Sequence, residues 1–319
     1  MENKLSWNSP TFADLEKISF VAEINNQFGN EMSAANLFLY RNKYQIKIAF
    51  YDGIFFRKYF IDGKSYFSLP LICDESILKS PDYIERKNQK ILQGIEILKS
   101  ENPENAKTLD LFYVYESDLE FLKTAFHGKI QDSLDEKHFD YIYLRENLDK
   151  LSGSQYQKKR NHISRFLRSF PQADFQPLSK ENLEEAWKVE ELWFEAAKSQ
   201  SELSDSESLE QEYLIIKEAL ENFEKLNLFG GIVYIEKNPV AMTVASKINS
   251  RIMDIHFEKA LMPFAFEGAY SFINNQFAKT KDFELFNREE DLGLEGLKKA
   301  KLSYYPEQIL KKWFVKIEL

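Results

Sequence analysis

The order of elements predicted from hydrophobic periodicity occurs twice along the chain, and this repetition constrains the fold more than any other feature. The first half contains three strand-like runs, a helix, a strand, a short helix and a final strand. In order, these lie at residues 36–44, 45–61, 64–72, 82–101, 108–116, 117–126 and 139–146. Asp52-Gly53 is a natural hairpin turn inside the second run.

The second half repeats the same order. A three-stranded meander over residues 229–260 precedes a helix, a strand, a short helix and a closing strand, at residues 266–279, 282–287, 293–301 and 311–319. Three further helices come before the meander, at residues 155–170, 181–200 and 209–226. Because the Ser-Gly-containing segment near residue 150 is short, we predict two packed domains, 1–150 and 151–319.

Meander, helix, strand, helix, strand is the order of the GCN5-related acetyltransferase (GNAT) fold. We therefore predict an α+β chain of tandem GNAT-like domains, with mixed, mostly antiparallel sheets flanked by helices. An unrelated α+β protein whose meanders match by chance is the alternative.

Bulk composition excludes several classes. The net charge of −9 argues against a protein coated with nucleic acid, and one basic helix without a helix-turn-helix pattern gives no reason to expect DNA binding. The single cysteine, Cys73, permits no internal disulfide, and His127 and His138 lack metal-ligand spacing, so we predict no metal. No signal peptide or membrane-spanning run is visible, which favours the cytoplasm.

A basic cluster occupies the helix predicted at residues 155–170. Five cations lie within eleven residues of a negatively charged protein, and apolar residues give the same helix a packing side. An ordinary solvated face is one interpretation; a site for the phosphates of a lipid head group or an RNA backbone is the other. The candidate binding residues are Lys158, Lys159, Arg160, Asn161 and Arg165.

The segment NREEDLGLEGLKKAKLSYYPE, residues 287–307, is the second candidate. Acidic residues at its start and lysines near its end suit a helix dipole, so capping alone explains the charge order. Capping does not explain Gly293 and Gly296 within one turn, which indicate close approach by another backbone or a ligand. The candidates here are Asn287, Glu290, Asp291, Gly293, Gly296, Lys301, Tyr304 and Tyr305.

The junction at residues 256–270 is where a GNAT enzyme would hold a pyrophosphate at a helix N-terminus. Only Gly268 is present, and Leu261, Met262 and Pro263 stand where a glycine-rich cradle would be, so the motif does not support acetyl-CoA. His256 ends the preceding strand, either as a packed side chain or as a catalytic one.

The pairing of KKRNHISRF with NREEDLGLEGLKKAKLSYYPE resembles the phosphatidylglycerol lysyltransferase C-terminal domain family, over essentially the whole chain. That family includes the catalytic part of lysylphosphatidylglycerol synthases, and its architecture is similar to the Fem-type transferases. The resemblance implies transfer of an aminoacyl group from aminoacyl-tRNA to a lipid head group or another amine or hydroxyl. It makes aminoacyl-tRNA or acyl-CoA the candidate donor and tRNA or phospholipid the candidate partner of the basic cluster, with peripheral attachment at the inner membrane surface.

Two functional hypotheses follow. In a transferase, a carboxylate such as Glu290 or Asp291 would accept a proton, and Lys301 or Arg160 would stabilise an oxyanion or bind phosphate. Tyr304 and Tyr305 would close the pocket or donate a hydrogen bond, and His256 is the histidine placed where GNAT chemistry occurs. In a non-catalytic module, the same scaffold would bind a small molecule, lipid or RNA, because a fold does not guarantee its chemistry.

Overall fold

A computed structural model describes residues 5–61, 63–102, 106–199 and 206–319. The chain divides into two units: Met1–Asp140, Glu290–Leu297 and Ile309–Leu319 form the first, and Tyr141–Glu289 and Lys298–Gln308 form the second. The sequence predicts a single domain boundary near residue 150. In the structure, two segments from the C-terminal half, Glu290–Leu297 and Ile309–Leu319, belong to the first unit.

The first unit has a mixed sheet with strand order β1-β2-β3-β5-β14-β6, and β4 pairs with β2. Its strands are β1 (Lys47–Tyr51), β2 (Ile54–Ile61), β3 (Lys64–Ser68), β4 (Leu71–Ile72), β5 (Thr108–Val114), β6 (Ile130–Leu134) and β14 (Trp313–Glu318). Its helices are α1 (Leu15–Ile24), α2 (Ala34–Leu39), α3 (Tyr83–Glu101) and α4 (Glu116–Ala125). β3 and β5 are parallel, and the other pairs are antiparallel.

The second unit contains the sheet order β7-β12-β11-β10-β9-β8. These strands are β7 (Asp140–Leu144), β8 (Asp174–Pro177), β9 (Phe229–Ile235), β10 (Asn238–Lys247), β11 (Ile252–Ala260) and β12 (Leu285–Asn287). The helices are α5 (Arg145–Lys150), α6 (Gln157–Ser169), α7 (Leu183–Lys198), α8 (Ser206–Glu221), α9 (Phe264–Glu267) and α10 (Ala269–Lys279). Helix α11 (Glu295–Leu302) and β13 (Gln308–Leu310) contribute residues to both units.

In each sheet, one strand comes from the other half of the sequence. β14, at the end of the chain, pairs with β5 and β6, whereas β7, in the middle of the chain, pairs with β12. The predicted strands exist, but their partners are exchanged relative to the sequence order. Hydrophobic periodicity reports that a strand is half-buried and carries no information about which sheet buries it.

Most predicted elements are present, and one was of the wrong type. The Asp52-Gly53 hairpin is confirmed, because both residues have the positive φ that such a turn needs. Residues 36–44 were predicted as a strand, but α2 occupies Ala34–Leu39, with Ser33 Oγ accepting from Asn36 N at 3.2 Å. Every residue of α2 is buried, so its sequence shows no amphipathic period. The last residue of the helix predicted at 181–200 lies outside the described residues.

Helix α3 shows how the first core forms. Ile91, Ile95 and Leu98 lie on one face and pack against Leu109 and Leu111 of β5, all 1% exposed or less. Burying each such side chain stabilises the fold by roughly 1.5–3 kcal/mol. None of the described helices combines the length and the apolar character that crossing a bilayer requires.

The parallel pair in the second unit opens towards its carboxyl end. β12 pairs with β11 from Ile252↔Leu285 to Asp254↔Asn287 and then stops, whereas β11 continues to Ala260. Side chains from the unpaired part of β11 and from the residues after β12 therefore meet in this gap. A GNAT-type site would occupy such a divergence between strands.

Candidate active site

A β-bulge places His256 at the start of the gap. In the β10–β11 pair, Val244 is opposite Phe257 and Ala245 is opposite Ile255, so His256 is the extra residue. A bulge bends the strand and changes the direction of the side chain that it carries. The His256 ring consequently faces polar groups on both of its nitrogens.

His256 joins two neighbours in a line. Its Nδ1 lies 2.9 Å from Glu289 Oε1, and its Nε2 lies 2.8 Å from Ser246 Oγ. Asp254 Oδ2 is 3.5 Å from the same Nδ1. The His256 and Asp254 side chains are fully buried, whereas 18% of the Glu289 side chain is exposed. A proton accepted at Glu289 would thus enter a network held away from solvent.

The backbone after β12 positions the Glu289 carboxylate. Glu289 has a φ of 55°, in the left-handed region, and its N–H donates to Asn287 Oδ1 at 2.7 Å. The Lys301 ammonium donates to the Arg288 carbonyl and, at 3.0 Å, to the Glu289 carbonyl. Asn287, predicted to bind substrate, and Lys301, predicted to be catalytic, are buried and stabilise this turn. Their contacts therefore support a positioning role.

A buried ion pair lies further along the gap. Arg288 Nη2 donates to Glu258 Oε2, and Asn274 Nδ2 donates to Glu258 Oε1 at 3.3 Å. The side chains of Arg288 and Glu258 are 15% and 14% exposed. Burial acts to lower the pKa of Arg288, but Glu258 reverses that effect, and the pKa is raised above its usual value.

Tyr304 connects this ion pair to α6. Lys159 Nζ lies 3.7 Å from the centre of the Tyr304 ring, the Arg288 guanidinium lies 5.0 Å from it, and the Tyr304 hydroxyl donates to Ser271 Oγ at 3.2 Å. Burial, followed by the charges of Arg288 and Lys158, lowers the pKa of Lys159 to about 8. At neutral pH the group is a cation that loses its proton more easily than an ordinary lysine.

The remaining tyrosine of the predicted set lies differently. Tyr305 is 51% exposed, has a φ of 52°, and its ring centre is 5.6 Å from that of Tyr156. It is therefore available at the surface, whereas Tyr304 is part of the buried cluster.

Helix α6, which carries the basic cluster, makes different contacts on its different faces. One face lines a pocket of about 430 Å³, formed by Lys158, Asn161, His162, Arg165 and Arg168. Arg160, by contrast, donates to the carbonyls of Leu151 and Gly153 and so holds the preceding loop. Burial and the neighbouring cations lower the pKa of His162, so its charge adds little to the pocket at neutral pH.

The junction where a GNAT enzyme would hold a pyrophosphate is occupied by the short helix α9. Gly268 follows it with a φ of 115°, and a Cβ at this position would lie 2.5 Å from the His162 carbonyl oxygen of α6. Helix α10 thus begins directly after Gly268, whose backbone packs against the backbone of α6. This close approach explains Gly268 without a nucleotide cradle.

Glu290 and Asp291 lie in the first unit, in a different environment from Glu289. The buried Lys312 ammonium is 2.7 Å from Asp140, 3.0 Å from Glu31 and 3.5 Å from Glu290. These carboxylates outweigh the effect of burial and raise the pKa of Lys312 far above its usual value. Glu290 is therefore part of a buried ion-pair network.

Asp291 and Gly293 have local structural reasons, whereas nothing in the described structure explains Gly296. Asp291 Oδ1 accepts from the Gly293 N–H at 2.8 Å, and Gly293 has a φ of 76°, which favours glycine. A Cβ on Gly293 would meet only Lys137 Cβ, at 3.6 Å, and one on Gly296 would meet no described atom within 4 Å. Among the described residues no other backbone approaches these glycines closely, and the alternative, close approach by a ligand, stays a prediction.

The comparison with family models decides the relationship. Residues 96–316, more than half of the chain, match the model described as phosphatidylglycerol lysyltransferase, C-terminal. The chain belongs to this family. The resemblance seen in the paired sequence motifs is thereby confirmed.

Three relatives illustrate the similarity of this phosphatidylglycerol lysyltransferase C-terminal family member. A conserved Bacteroides thetaiotaomicron protein of unknown function is 29% identical, with a TM-score of 0.85 over 98% of this chain and 100% of the other. The C-terminal domain of an Agrobacterium fabrum protein named as a lysylphosphatidylglycerol synthetase is 11% identical, with a TM-score of 0.62 over 96% and 92%. An uncharacterised Mycoplasmoides gallisepticum protein is 23% identical over 203 residues, which span 63% of this chain and 62% of that relative.

The predicted α+β fold of tandem GNAT-like units is confirmed by the topology and these structural neighbours. Membership of the family supports a general acyl- or aminoacyltransferase role. The roles of individual site residues stay predictions.

Sequence reasoning missed the partners that make His256 interesting. Glu289, Ser246 and Asp254 were not selected, although Glu289 lies inside the segment that was. The available signal was alternation: Asn287 and Glu289 are two residues apart at the end of a strand and share a face. The bulge that directs His256 towards them leaves no such signal.

In the described part of the chain, Asp254, His256 and Glu289 also form a group whose potential metal-ligand atoms lie within 4.8 Å of one another. The 2.9 Å separation of Nδ1 and Oε1 suits a hydrogen bond, which is the interpretation adopted below. The absence of a metal stays a prediction.

Proposed function

We propose that this protein transfers an aminoacyl group from aminoacyl-tRNA to an amine or hydroxyl of a phosphate-bearing acceptor. The observation that carries the proposal is the Ser246–His256–Glu289 network, placed where β11 and β12 diverge in a member of a lysyltransferase family. By analogy with the family's name, a lysyl ester and a phospholipid hydroxyl are the first donor and acceptor to test.

In the proposed reaction, the acceptor nitrogen or oxygen attacks the ester carbonyl carbon and forms a new bond to it. The proton of the nucleophile passes to Glu289, and the bond between the acyl carbon and the carrier oxygen breaks. The carrier oxygen then takes up the proton. In this proposal His256 Nδ1–H donates to Glu289 and Nε2 accepts from the Ser246 hydroxyl, so that the ring keeps the carboxylate oriented.

Two cations would assist the tetrahedral intermediate. Lys159 and Arg288 lie in the cluster around Tyr304, where limited exposure strengthens their electrostatic effect. Lys301 is assigned no oxyanion role in this proposal, since its ammonium already donates to two carbonyls. A preorganised donor of this kind contributes about 10²–10³ in rate when it contacts the developing charge.

The test supplies the purified chain with tRNA carrying a labelled amino acid, together with phosphatidylglycerol vesicles, and measures labelled lipid. Labelled acyl-CoA with the same acceptor is the parallel donor. Label appearing in lipid from the tRNA donor supports the proposal. Transfer from acyl-CoA alone would contradict the proposed donor.

A non-catalytic binding module is the second candidate, favoured by the junction at Gly268. That junction has one glycine, and the glycine is pressed against α6. The same assay separates the two: a module would show saturable binding of tRNA or vesicles without release of the amino acid or its appearance in any acceptor.

A further inference from the structure

A buried lysine lies on the face of the second unit's sheet that is opposite Glu258. Glu258 and Lys259 are consecutive residues of β11, so their side chains lie on opposite faces of the sheet. Glu258 pairs with Arg288, whereas Lys259 Nζ lies 3.0 Å from Glu212 Oε2 of α8. Only 6% of the Lys259 side chain is exposed. The strand thus carries a second buried ion pair, which the proposed reaction does not use.

The Lys259 ammonium is held by an aromatic ring as well as by a carboxylate. Its Nζ lies over the ring of Trp193 in α7, 3.5 Å from the ring centre, where the π electrons attract a cation. Glu212, the carboxylate partner, is 37% exposed at its side chain. The cluster therefore already binds one primary ammonium group, and that group belongs to the chain itself.

A second carboxylate in this cluster is incompletely satisfied. Glu190 of α7 is 1% exposed, and among the residues that the structure describes none donates a hydrogen bond to its Oε2. Buried carboxylates are normally paired, because removing an unpaired charge from water is costly. Burial raises the pKa of Glu190 to about 7, although the charge of Lys259 opposes this effect. Glu190 therefore accepts one more proton or cation near neutral pH.

The groups that face Glu190 leave the cluster one positive charge short. Lys259 of β11, Glu212 and Tyr213 of α8 and Tyr270 of α10 all interact with its charge. Burial raises the pKa of both tyrosines, so they stay neutral. With both carboxylates ionised, two negative charges face the single charge of Lys259. Tyr270 is 37% exposed, so it forms, with Glu212, the side of the cluster nearest to solvent.

We propose that the cluster around Glu190 is a binding site for the primary ammonium group of a small ligand. The ligand nitrogen donates to Glu190 Oε2 and supplies the missing positive charge, entering from the side of Tyr270 and Glu212. Carboxylates and indole rings together are the groups that recognise ammonium ions. An anionic ligand would add a third negative charge to the cluster. The inference goes beyond the proposed transfer, because ammonium binding requires neither tRNA nor turnover.

Calorimetric titration of the full chain with n-propylammonium chloride tests the site, since this probe stays cationic between pH 6 and pH 8. The neutral analogue 1-propanol should not bind. Because the ionised form of Glu190 binds the cation, the affinity should fall about tenfold from pH 8 to pH 6. Binding at pH 7 should release about half a proton, which titrations in two buffers of different ionisation enthalpy measure.

The decisive variant keeps the size of the side chain and removes its charge. Glu190→Gln should weaken binding of n-propylammonium about tenfold or more and abolish the proton release. Glu191→Gln is the matched control, because Glu191 is the next residue of α7 and is exposed, and it should leave both quantities unchanged. Thermal melting verifies that each variant is folded. If Glu190→Gln does not fold, the pH dependence and proton release of the wild type decide the question.

Two sources of the ammonium group are separated by competition. Ethanolamine represents an amine acceptor, and alaninamide represents the amino group of a transferred aminoacyl unit. Each is titrated at pH 7.5 against bound n-propylammonium. Displacement by either compound supports the site, and the tighter competitor identifies the class of ligand.

Three results would overturn the proposal: no saturable binding of n-propylammonium at pH 8, equal affinity at pH 6 and pH 8, or equal affinity in folded Glu190→Gln. A proton alone would then complete the charge of the cluster. The transfer assay with labelled aminoacyl-tRNA is measured separately, so failure of this site and failure of the proposed function are distinguishable.

Discussion

At the scale of single residues, the contacts of each acidic side chain depend on local backbone geometry, which the sequence around it does not reveal. Glu289 and Glu290 are adjacent in sequence, yet Glu289 contacts His256 and Glu290 contacts the buried Lys312. A positive φ at Glu289 and the bulge at His256 bring the first pair together. Sequence reasoning selected His256 and the neighbouring carboxylate Glu290 as separate candidates and did not select Glu289, the carboxylate that contacts His256.

The first residue-scale prediction concerns the charge of Lys159. The unfolded chain holds this proton up to the usual lysine pKa, whereas the folded protein releases it near pH 8. Between those values the unfolded state binds more protons, so this group makes the folded state more stable as pH rises. Urea unfolding of wild type and Lys159→Met should show that the free energy of unfolding rises less between pH 7 and pH 10 in the variant than in the wild type. An identical rise in both would contradict the lowered pKa.

The second concerns the Glu258–Arg288 pair. Because both side chains are largely buried, Arg288→Met leaves an uncompensated carboxylate and should destabilise the fold by about 3 kcal/mol. Adding Glu258→Met to that variant should recover most of the loss. A double-mutant cycle by urea unfolding measures the coupling, and simple additivity of the two losses would show that the pair is not an interacting unit.

At the scale of elements, strand existence was readable from the sequence and strand partnership was not. Residues 311–319 alternate as a half-buried strand should, and β14 forms there, but it completes the sheet of the first unit. Helix α2 was missed because all of its residues are buried, which removes the period that distinguishes a helix. Local pattern thus recovered the order of elements, while long-range pairing required coordinates.

The exchanged strand gives an element-scale prediction. Ile317 is fully buried in the first core, so Ile317→Ala should cost about 3 kcal/mol, whereas Lys316→Ala on the opposite face should cost little. Amide hydrogen exchange should show weakened protection in β5, the partner of β14. Weaker protection in β12, with protection in β5 unchanged, would contradict the pairing of β14 with β5.

The two types of glycine give a matched pair of variants. Gly268→Ala must place a Cβ 2.5 Å from a backbone oxygen at a φ of 115°, and should destabilise the protein by about 2 kcal/mol or more. Gly296→Ala adds a methyl group in open space within α11, and should stabilise by up to about 1 kcal/mol. Thermal unfolding measures the stability of both variants. Equal changes in stability would contradict the difference in packing between Gly268 and Gly296.

At the scale of the whole molecule, a net charge of −9 coexists with one strongly cationic helix face. The composition excludes a surface coated with nucleic acid, and the paired motifs indicate the family from sequence alone. The sequence also singled out the segment that contains Glu289 and the helix that contains Lys159, while their roles stay predictions. It could not divide each segment into structural and reactive residues, because that division depends on which face of α6 is covered and on how the chain turns after β12.

The transfer rate of Glu289→Gln compared with that of Glu290→Gln tests the central claim most directly. Labelled aminoacyl-tRNA and phosphatidylglycerol vesicles are supplied to both variants at equal folded concentration, with melting curves as the control. We expect Glu289→Gln to lose about 10²-fold or more in rate, the typical contribution of a general base, and Glu290→Gln to retain most activity wherever it remains folded. Full activity in Glu289→Gln, or loss confined to folded Glu290→Gln, would contradict the assignment of Glu289 as the group that accepts the proton.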